Sequence, residues 1–364
     1  MKQYRFISDF YTLMNKKALL IVALLVVLSS AELVAQNAGQ QTFLSLTFPT
    51  SSHVASLGGQ DLATWNKECA YFFQNPATLS VINNNSIFFN YTPIADKIQS
   101  SVAGFSHSFK KAGNFGVGIQ FMDYGLFKST NENGYDLGET FYGKDFSLSA
   151  GYSNNLSNKI NYGVSVKYIY STIEQYNADG LGMDVGVVFK DTARGITAGV
   201  AVKNVGVVVK DFTETSTSKL PFDVQAGISK KLIHTPFTLF LNLHDLNQFD
   251  IRYPKVEVQQ QLIIDSIQLK EKKYTIDKIS RHANFGLQID AGKYFRLNVG
   301  YNQQRRKELA YDIRKSLAGF CFGFQLEVKK ISFGYSYSVY NISGGQNNLS
   351  ISFSFNDFVD VRKM

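Results

Sequence analysis

Residues 159–171 read KINYGVSVKYIYS. Ile160, Tyr162, Val164, Val166, Tyr168 and Tyr170 fall on one side of a strand, and Asn161, Gly163, Ser165, Lys167 and Ser171 on the other. Only Ile169 is out of place, because successive strand side chains face opposite sides of a sheet. A water-soluble sheet would turn its apolar face to a core. Here the polar face is built of Gly, Ser, Asn and Lys, which suit a wet lumen. The apolar face is broad and aromatic, and it recurs along the chain from Ser86 to Asn356. The pattern predicts an all-β protein, a transmembrane antiparallel β-barrel, which leaves no open edge in lipid.

Working outward, the same alternation marks about fourteen strands. They lie near 86–91, 98–109, 114–123, 145–154, 159–171, 181–190, 195–205, 222–232, 237–246, 282–290, 294–303, 316–328, 330–340 and 347–356. An even number suits a bacterial single-chain barrel. All six prolines fall outside these ranges, as expected of residues that remove a ladder hydrogen bond. The connections alternate in length. Short ones fall at 110–113, 155–158, 191–194, 233–236, 291–293 and 329–330. Longer ones fall at 124–144, 170–180, 206–221, 247–281 and 304–315, while 92–97 and 341–346 are short members of the second set. Outer-membrane barrels carry short periplasmic turns and longer outer loops. The parity therefore predicts that both ends of the chain are periplasmic.

Before the barrel come two further segments. Residues 1–35 read as a signal peptide: Lys16 and Lys17 precede the apolar run Ala18–Leu28, and Leu33-Val34-Ala35 offers a cut before Gln36. Met14-Asn15-Lys16-Lys17 makes Met14 the better start, and the absence of Cys after the cut argues against a lipid anchor. Residues 36–85 lack strand alternation and hold the sole tryptophan, Trp65, with Gly58-Gly59 and Phe72-Phe73-Gln74-Asn75-Pro76-Ala77. Fifty residues of mixed polarity ahead of a barrel fit inside it as a plug. The domain plan is then leader 1–35, plug 36–85, barrel 86–356 and a periplasmic tail 357–364.

Composition narrows the function. The mean hydropathy of −0.10 conceals a membrane protein, because lumen residues dilute lipid-facing ones. Phe (30) and Tyr (20) are abundant enough to supply a lipid face and interfacial girdles. The net charge is +8; the leader holds four basic and two acidic residues, leaving about +6 on the rest. These charges are scattered over loops and turns, which argues against nucleic acid and for lipid headgroups or a charged partner. Cys69 and Cys321 could pair in an oxidising envelope, and the blander reading is two unpaired small apolar residues. The five histidines show no metal-ligand spacing. His244 and Asp245 are adjacent on an expected strand, so they should face opposite ways rather than form a catalytic pair. No nucleophile elbow or dinucleotide loop is present, and the expectation is a non-enzyme without metal or cofactor. One charged cluster remains: Arg305, Arg306, Lys307, Arg314 and Lys315, with Glu308 and Asp312 among them. Arginine grips phosphate or carboxylate with a fork of donors. The cluster is either a docking site for a partner or lipid A phosphate, or a solvated loop with internal ion pairs.

Asn75-Pro76-Ala77 resembles the plug motif of FadL-type outer-membrane proteins. Further segments sharpen the likeness: Thr42–Leu46, Pro49–Gly59, Lys203-Asn204-Val205-Gly206, Leu220-Pro221-Phe222-Asp223, Gly227–Leu232, Leu243-His244-Asp245-Leu246, Gly300-Tyr301-Asn302 and Arg305–Leu309. Together they resemble the PorV/PorQ group of barrels in the type IX secretion system of Bacteroidetes, from about Gly39 to Phe355. The segment 252–278 matches least. The resemblance implies a FadL-like barrel in a surface attachment complex. Such a barrel holds a PorZ-like surface protein beside a PorU-like sortase and a PorV-like barrel, and the complex joins cargo to lipopolysaccharide. The alternative is a FadL-like transporter of hydrophobic small molecules. A transporter needs a continuous apolar path through the plug; a docking barrel does not.

Overall fold

The computed structural model describes residues 42–95, 97–109, 112–214, 216, 218–252, 275–309, 317–328, 330–341 and 344–355. The leader, plug residues 36–41, most of 252–278, Asp312, Arg314, Lys315 and the tail 357–364 lie outside them.

Fourteen strands form a closed barrel: β1 (Ser86–Ala95), β2 (Ile98–Phe109), β3 (Gly113–Thr130), β4 (Asp136–Ser157), β5 (Ile160–Ile173), β6 (Tyr176–Asp191), β7 (Ile196–Lys210), β8 (Asp223–Lys231), β9 (Phe237–Leu243), β10 (Ala283–Asp290), β11 (Phe295–Asn302), β12 (Phe320–Val328), β13 (Ile331–Asn341) and β14 (Gly344–Ser354). Each pairs antiparallel with its sequence neighbours, and β1 closes on β14 from Ser86↔Ser354 to Tyr91↔Leu349. Closure removes the open edges that lipid would not tolerate. Every strand expected from the alternation is present.

The faces follow the same reading. On β5, Asn161, Gly163, Ser165, Lys167 and Ser171 are buried in the lumen, while Tyr162, Val166 and Tyr168 are exposed on the outside. Ile169, the exception, is fully buried against Phe43, Leu46, Ala178 and Leu220. An apolar residue on the lumen face thus marks where the plug is greasy. Outside, Phe324 packs against Tyr335 and Phe333 across β12 and β13, with ring centroids 5.8 and 6.5 Å apart.

Several expectations need correction, among them the longer connection at 170–180, where β5 and β6 pair as far as Ile173↔Tyr176 and leave a two-residue turn. Residues 124–144 were expected to be a loop; instead β3 and β4 run on as a paired ribbon, with Leu126↔Tyr142, Phe127↔Phe141 and Lys128↔Thr140. Register shifts between Asp123 and Leu126, and again between Lys128 and Thr130, break the period of two and hide the strands. The connection from 304 begins as a short helix, α3 (Gln303–Leu309), whose partner α2 (Thr275–Arg281) precedes β10. Pro93 lies within β1, beside a bulge and beyond the last β14 pair at Tyr91, where its missing N–H breaks no rung to that strand.

The plug crosses the whole lumen. It consists of α1 (Ser52–Ser56) and four single turns of 3-10 helix, at Leu44–Thr47, Cys69–Phe73, Pro76–Thr78 and Val81–Asn83. The Thr42 N–H donates to the Lys219 carbonyl (3.0 Å) at the end bearing the long connections. The Ser354 hydroxyl donates to the Asn84 carbonyl (3.0 Å) at the end bearing the short turns. The barrel strands therefore begin and finish at the short-turn end, while the first described plug residue lies at the other. A segment that threads the barrel must start opposite to where it finishes.

Candidate functional site

The plug is seated through the motif residues. Asn75 caps the turn Pro76–Thr78: its side-chain oxygen accepts from the Ala77 N–H (3.0 Å), and its own carbonyl accepts from the Thr78 hydroxyl (2.8 Å). Its amide nitrogen faces the wall, 3.3 Å from the Val187 carbonyl on β6 and 3.5 Å from the Val200 carbonyl on β7. A ladder carbonyl has a second lone pair to offer. Such close approach requires wall positions without side chains. A Cβ added at Gly186 would fall on Asn75 Oδ1, one at Gly163 on the Pro76 carbonyl group, and one at Gly199 on the Leu62 carbonyl.

Around the barrel α1 is held in the same way. Ser51 caps it, with the Val54 N–H donating to Ser51 Oγ (3.3 Å). The Ser52 N–H donates to Ser350 Oγ (2.8 Å), Ser338 Oγ to the Ala55 carbonyl (3.2 Å) and Asn302 Nδ2 to the Gly58 carbonyl (2.8 Å). Gly300, Gly323 and Gly334 admit Ser56 and Ser52. Behind the helix His53, buried, lies 3.3 Å from Asp61 and 3.3 Å from Asn298 Nδ2. The opposite side of the plug is apolar: Cys69, Ala70, Phe72, Phe73 and Leu79 pack on Phe88 and Val102. Both cysteines are free and buried. Each of the fourteen strands touches the plug, including β8 through Ser229 Oγ to the Ala63 carbonyl (2.9 Å) and β3 through Gln120 Nε2 to the Ser45 carbonyl (2.5 Å).

The motifs around Asn204, Leu220-Pro221 and Asp245 converge at the long-connection end. Asn204 Nδ2 donates to the Pro221 carbonyl (2.7 Å), and Leu220 packs beside Phe43. The Asp245 N–H donates to Asp223 Oδ1 (2.7 Å). Beneath them Lys167 and Asp184 form an ion pair at 2.6 Å, both almost fully buried, with Asn204 accepting from Lys167 (3.0 Å). Sequence reasoning missed the two inner pairs, His53–Asp61 and Lys167–Asp184. For Lys167–Asp184 the signal was a charged residue at a lumen-facing strand position, where burial forces pairing.

His244 and Asp245 do bond, at 2.8 Å, contrary to the strand argument. β9 ends at Leu243 and Asp245 has φ +53°, so alternation no longer applies.

At the same rim α2 and α3 lie against each other. Lys307 pairs with Asp277 (3.3 Å), Arg281 with Asp277 (3.1 Å) and Glu308 (3.6 Å). Burial pushes the Asp277 carboxyl up, but Arg281 and Lys307 outweigh it and hold the group below the ordinary carboxylate range. Glu308 is raised by burial, against the pull of neighbours that include Arg281. Arg305 turns inward. Its guanidinium sits 4.4 Å from the Tyr340 ring centroid and 3.6 Å from Cys321 Sγ, and a Cβ on Gly59 would come within 2.8 Å of it. Arg305 thus braces the Gly58-Gly59 turn of the plug, Lys307 is the exposed member, and Glu308 is engaged internally.

A cavity of about 240 Å³ opens at the short-turn end between the plug and β11–β14. Its lining mixes Glu68, Arg296, Glu327, Lys330 and Ser332 with the apolar Ile82, Ile331 and Phe353.

No family model matches the chain, and no curated protein matches it. Solved structures do. The Pseudomonas putida toluene transporter TodX aligns at 12% identity over 84% of this chain and 96% of its own, with a TM-score of 0.51. The Ralstonia pickettii toluene transporter TbuX aligns at 14% identity over 86% and 99%, also at 0.51. A TodX variant lacking S2 and S3, a monoaromatic hydrocarbon channel, reaches 0.53 at 12% identity over 84% and 98%. The fold is the one these solved barrels share, a closed antiparallel barrel of fourteen strands. At such identities the likeness concerns architecture; fold alone does not assign function.

Proposed function

We propose that this FadL-like barrel is a sealed platform that anchors a PorZ-like surface protein through its long-connection rim. A PorU-like sortase and a PorV-like barrel would stand beside it in a type IX attachment complex, with lipopolysaccharide around its outer half. One observation carries the reading: the plug is bonded or packed to every strand, which suits a support better than a conduit. The motifs that carry the sequence resemblance add to it, since several of them are the two sides of plug contacts.

The proposal orients the long connections outward. A small tag at Asn133, at the tip of the β3–β4 ribbon, is expected to be labelled on intact cells, and one at Asn158 is not. Labelling at Asn158 would turn the barrel over and remove the platform reading.

Docking is tested at the rim. Replacing Arg306 and Lys307 by serine is expected to release the surface protein into the medium and make the residual binding salt-sensitive, because exposed charges are screened with a Debye length of about 8 Å at physiological ionic strength. Adding Arg305→Ser should also loosen the Gly58-Gly59 turn, so Arg305 is varied separately. Unchanged retention at normal barrel levels would clear this cluster of the role.

The second reading is passage of hydrophobic small molecules, as the names of TodX and TbuX state for those proteins. The comparisons speak more directly for this reading than for type IX secretion. Toluene uptake by vesicles carrying the purified barrel, above that of empty vesicles, would favour transport.

A further inference from the structure

β3 and β4 outrun their neighbours. The β2–β3 ladder ends at Gln99↔Asp123 and the β4–β5 ladder at Gly143↔Ile173. Beyond those rungs the ribbon from Leu126 to Tyr142 pairs only with itself. A two-stranded ribbon alone in water is marginally stable, and an unpaired edge is a template for another strand. The β4 edge is partly covered at its foot, where the Glu174 N–H donates to the Tyr142 carbonyl (3.1 Å). The β3 edge from Leu126 to Thr130 meets no further strand among the described residues.

The ribbon is also unusually apolar for a projecting hairpin. Leu126, Leu137 and Tyr135 are 58%, 54% and 72% exposed, and Phe127 stacks on Phe141 at 5.4 Å and 25°. Lys128, the charge that would guard the edge, is drawn across to Asp136 at 2.9 Å.

Where β2 stops, a shallow groove of about 300 Å³ continues its line along β3. Lys97 and Lys144 flank it, with Asp123, Leu126 and Tyr142. Neither lysine makes an ion pair among the described residues; Lys144 Nζ rests 4.9 Å from the Tyr142 ring centroid. The groove is held in shape by the bulge at Gly125, whose φ of +78° favours glycine and where any Cβ would lie 2.8 Å from Lys97 Cβ.

Resting on the platform reading, we infer that the β3 edge from Leu126 to Thr130 receives an extended segment of a partner protein as an added strand in line with β2, seating a carboxylate between Lys97 and Lys144. Main-chain pairing supplies affinity in such additions and side-chain pockets supply specificity. Lipid tails have no donors or acceptors for the edge, whereas a strand has both. The two lysines select an acidic residue within that strand, and the exposed leucine and aromatic rings give its apolar residues a surface.

The test is backbone amide exchange over residues 126–130, which reports local opening. Three preparations are compared: native outer-membrane vesicles, the purified full-length barrel in the same lipids with lipopolysaccharide, and native vesicles carrying Lys97→Glu with Lys144→Glu. Both lysines lie at the rim, Lys144 on the outward side of β4 in line with Phe146 and Leu148, and heat-modifiability confirms that the variant barrel is folded. Exchange is expected to be at least about tenfold slower in native vesicles than in the purified barrel, and fast again in the variant. Equal exchange in the first two preparations overturns the inference: fast in both means no strand is added, and slow in both means lipid or a second copy covers the edge. Protection that survives the double substitution overturns the carboxylate seat. Co-purification of the surface protein with an unprotected ribbon would sink this inference alone; loss of co-purification altogether would sink the platform reading.

Discussion

Gly186→Leu unseats the plug while the barrel remains folded. A Cβ at this position falls on Asn75 Oδ1 and lies 2.9 Å from Asn75 Cγ and 3.3 Å from Pro76 Cδ. The wall cannot step back, because Gly186 is a rung to Gly163 on β5 and to Ala201 on β7. Overpacking a rigid interior costs typically about 1–3 kcal/mol. The displaced Asn75 would also lose its bonds to the Val187 and Val200 carbonyls, about 1 kcal/mol each. Ladder bonds hold the barrel independently of the plug, so heat-modifiability on gels should persist. Bilayer conductance should rise and the amides of residues 72–79 should exchange faster. Gly344→Ala is the control, since a Cβ there meets nothing within 4 Å. A Gly186→Leu barrel that stays sealed and protected would show that the plug is not seated on β6.

The second large effect lies on the other face of the wall. Val166 is 57% exposed in the middle of β5, directed outward. Val166→Arg places a charge in lipid and is expected to cost about 2–4 kcal/mol of barrel stability near the midplane, read as a fall in the temperature at which heat-modifiability is lost. Val166→Leu should be neutral. Ser165→Arg separates the two faces. A hollow lumen would tolerate it, but Ser165 is buried, and Lys167 on the same face is committed to Asp184. The arginine is therefore expected to disturb the plug and raise conductance, which Val166→Arg should not do. Identical behaviour of the two arginine variants would mean that the register of β5 is shifted by one residue, which exchanges the two faces.

Strand number, strand order and the two faces were legible in residues 159–171 and their repeats. Lipid and lumen impose opposite chemistry on alternate positions, so each strand carries its own address. Residues 42–85 were legible as a segment without alternation, in which Asn75-Pro76-Ala77 stood out. The contacts of that motif were not, because a glycine in a strand reads the same whether it faces water or a neighbouring backbone. The β3–β4 ribbon was hidden by its bulges, and the His244–Asp245 bond by a strand that ends three residues early, at Leu243.

Arg305, Arg306 and Lys307 show the limit most directly. In sequence they are one basic run with Glu308 beside it. On α3, a helical turn sends Arg305 to the plug and Lys307 to Asp277, while Glu308 meets Arg281. The sequence by itself determined a fourteen-stranded barrel with a lipid face, a polar lumen and a segment to fill it, because those are local, periodic demands. Only the tertiary structure decided that the plug touches every strand, that the barrel motifs are seats for the plug, and which rim charges face inward. Those outcomes depend on residues up to nearly 300 positions apart, such as Ser52 and Ser350, meeting across a closed barrel, and no periodicity along the chain encodes a distance across it.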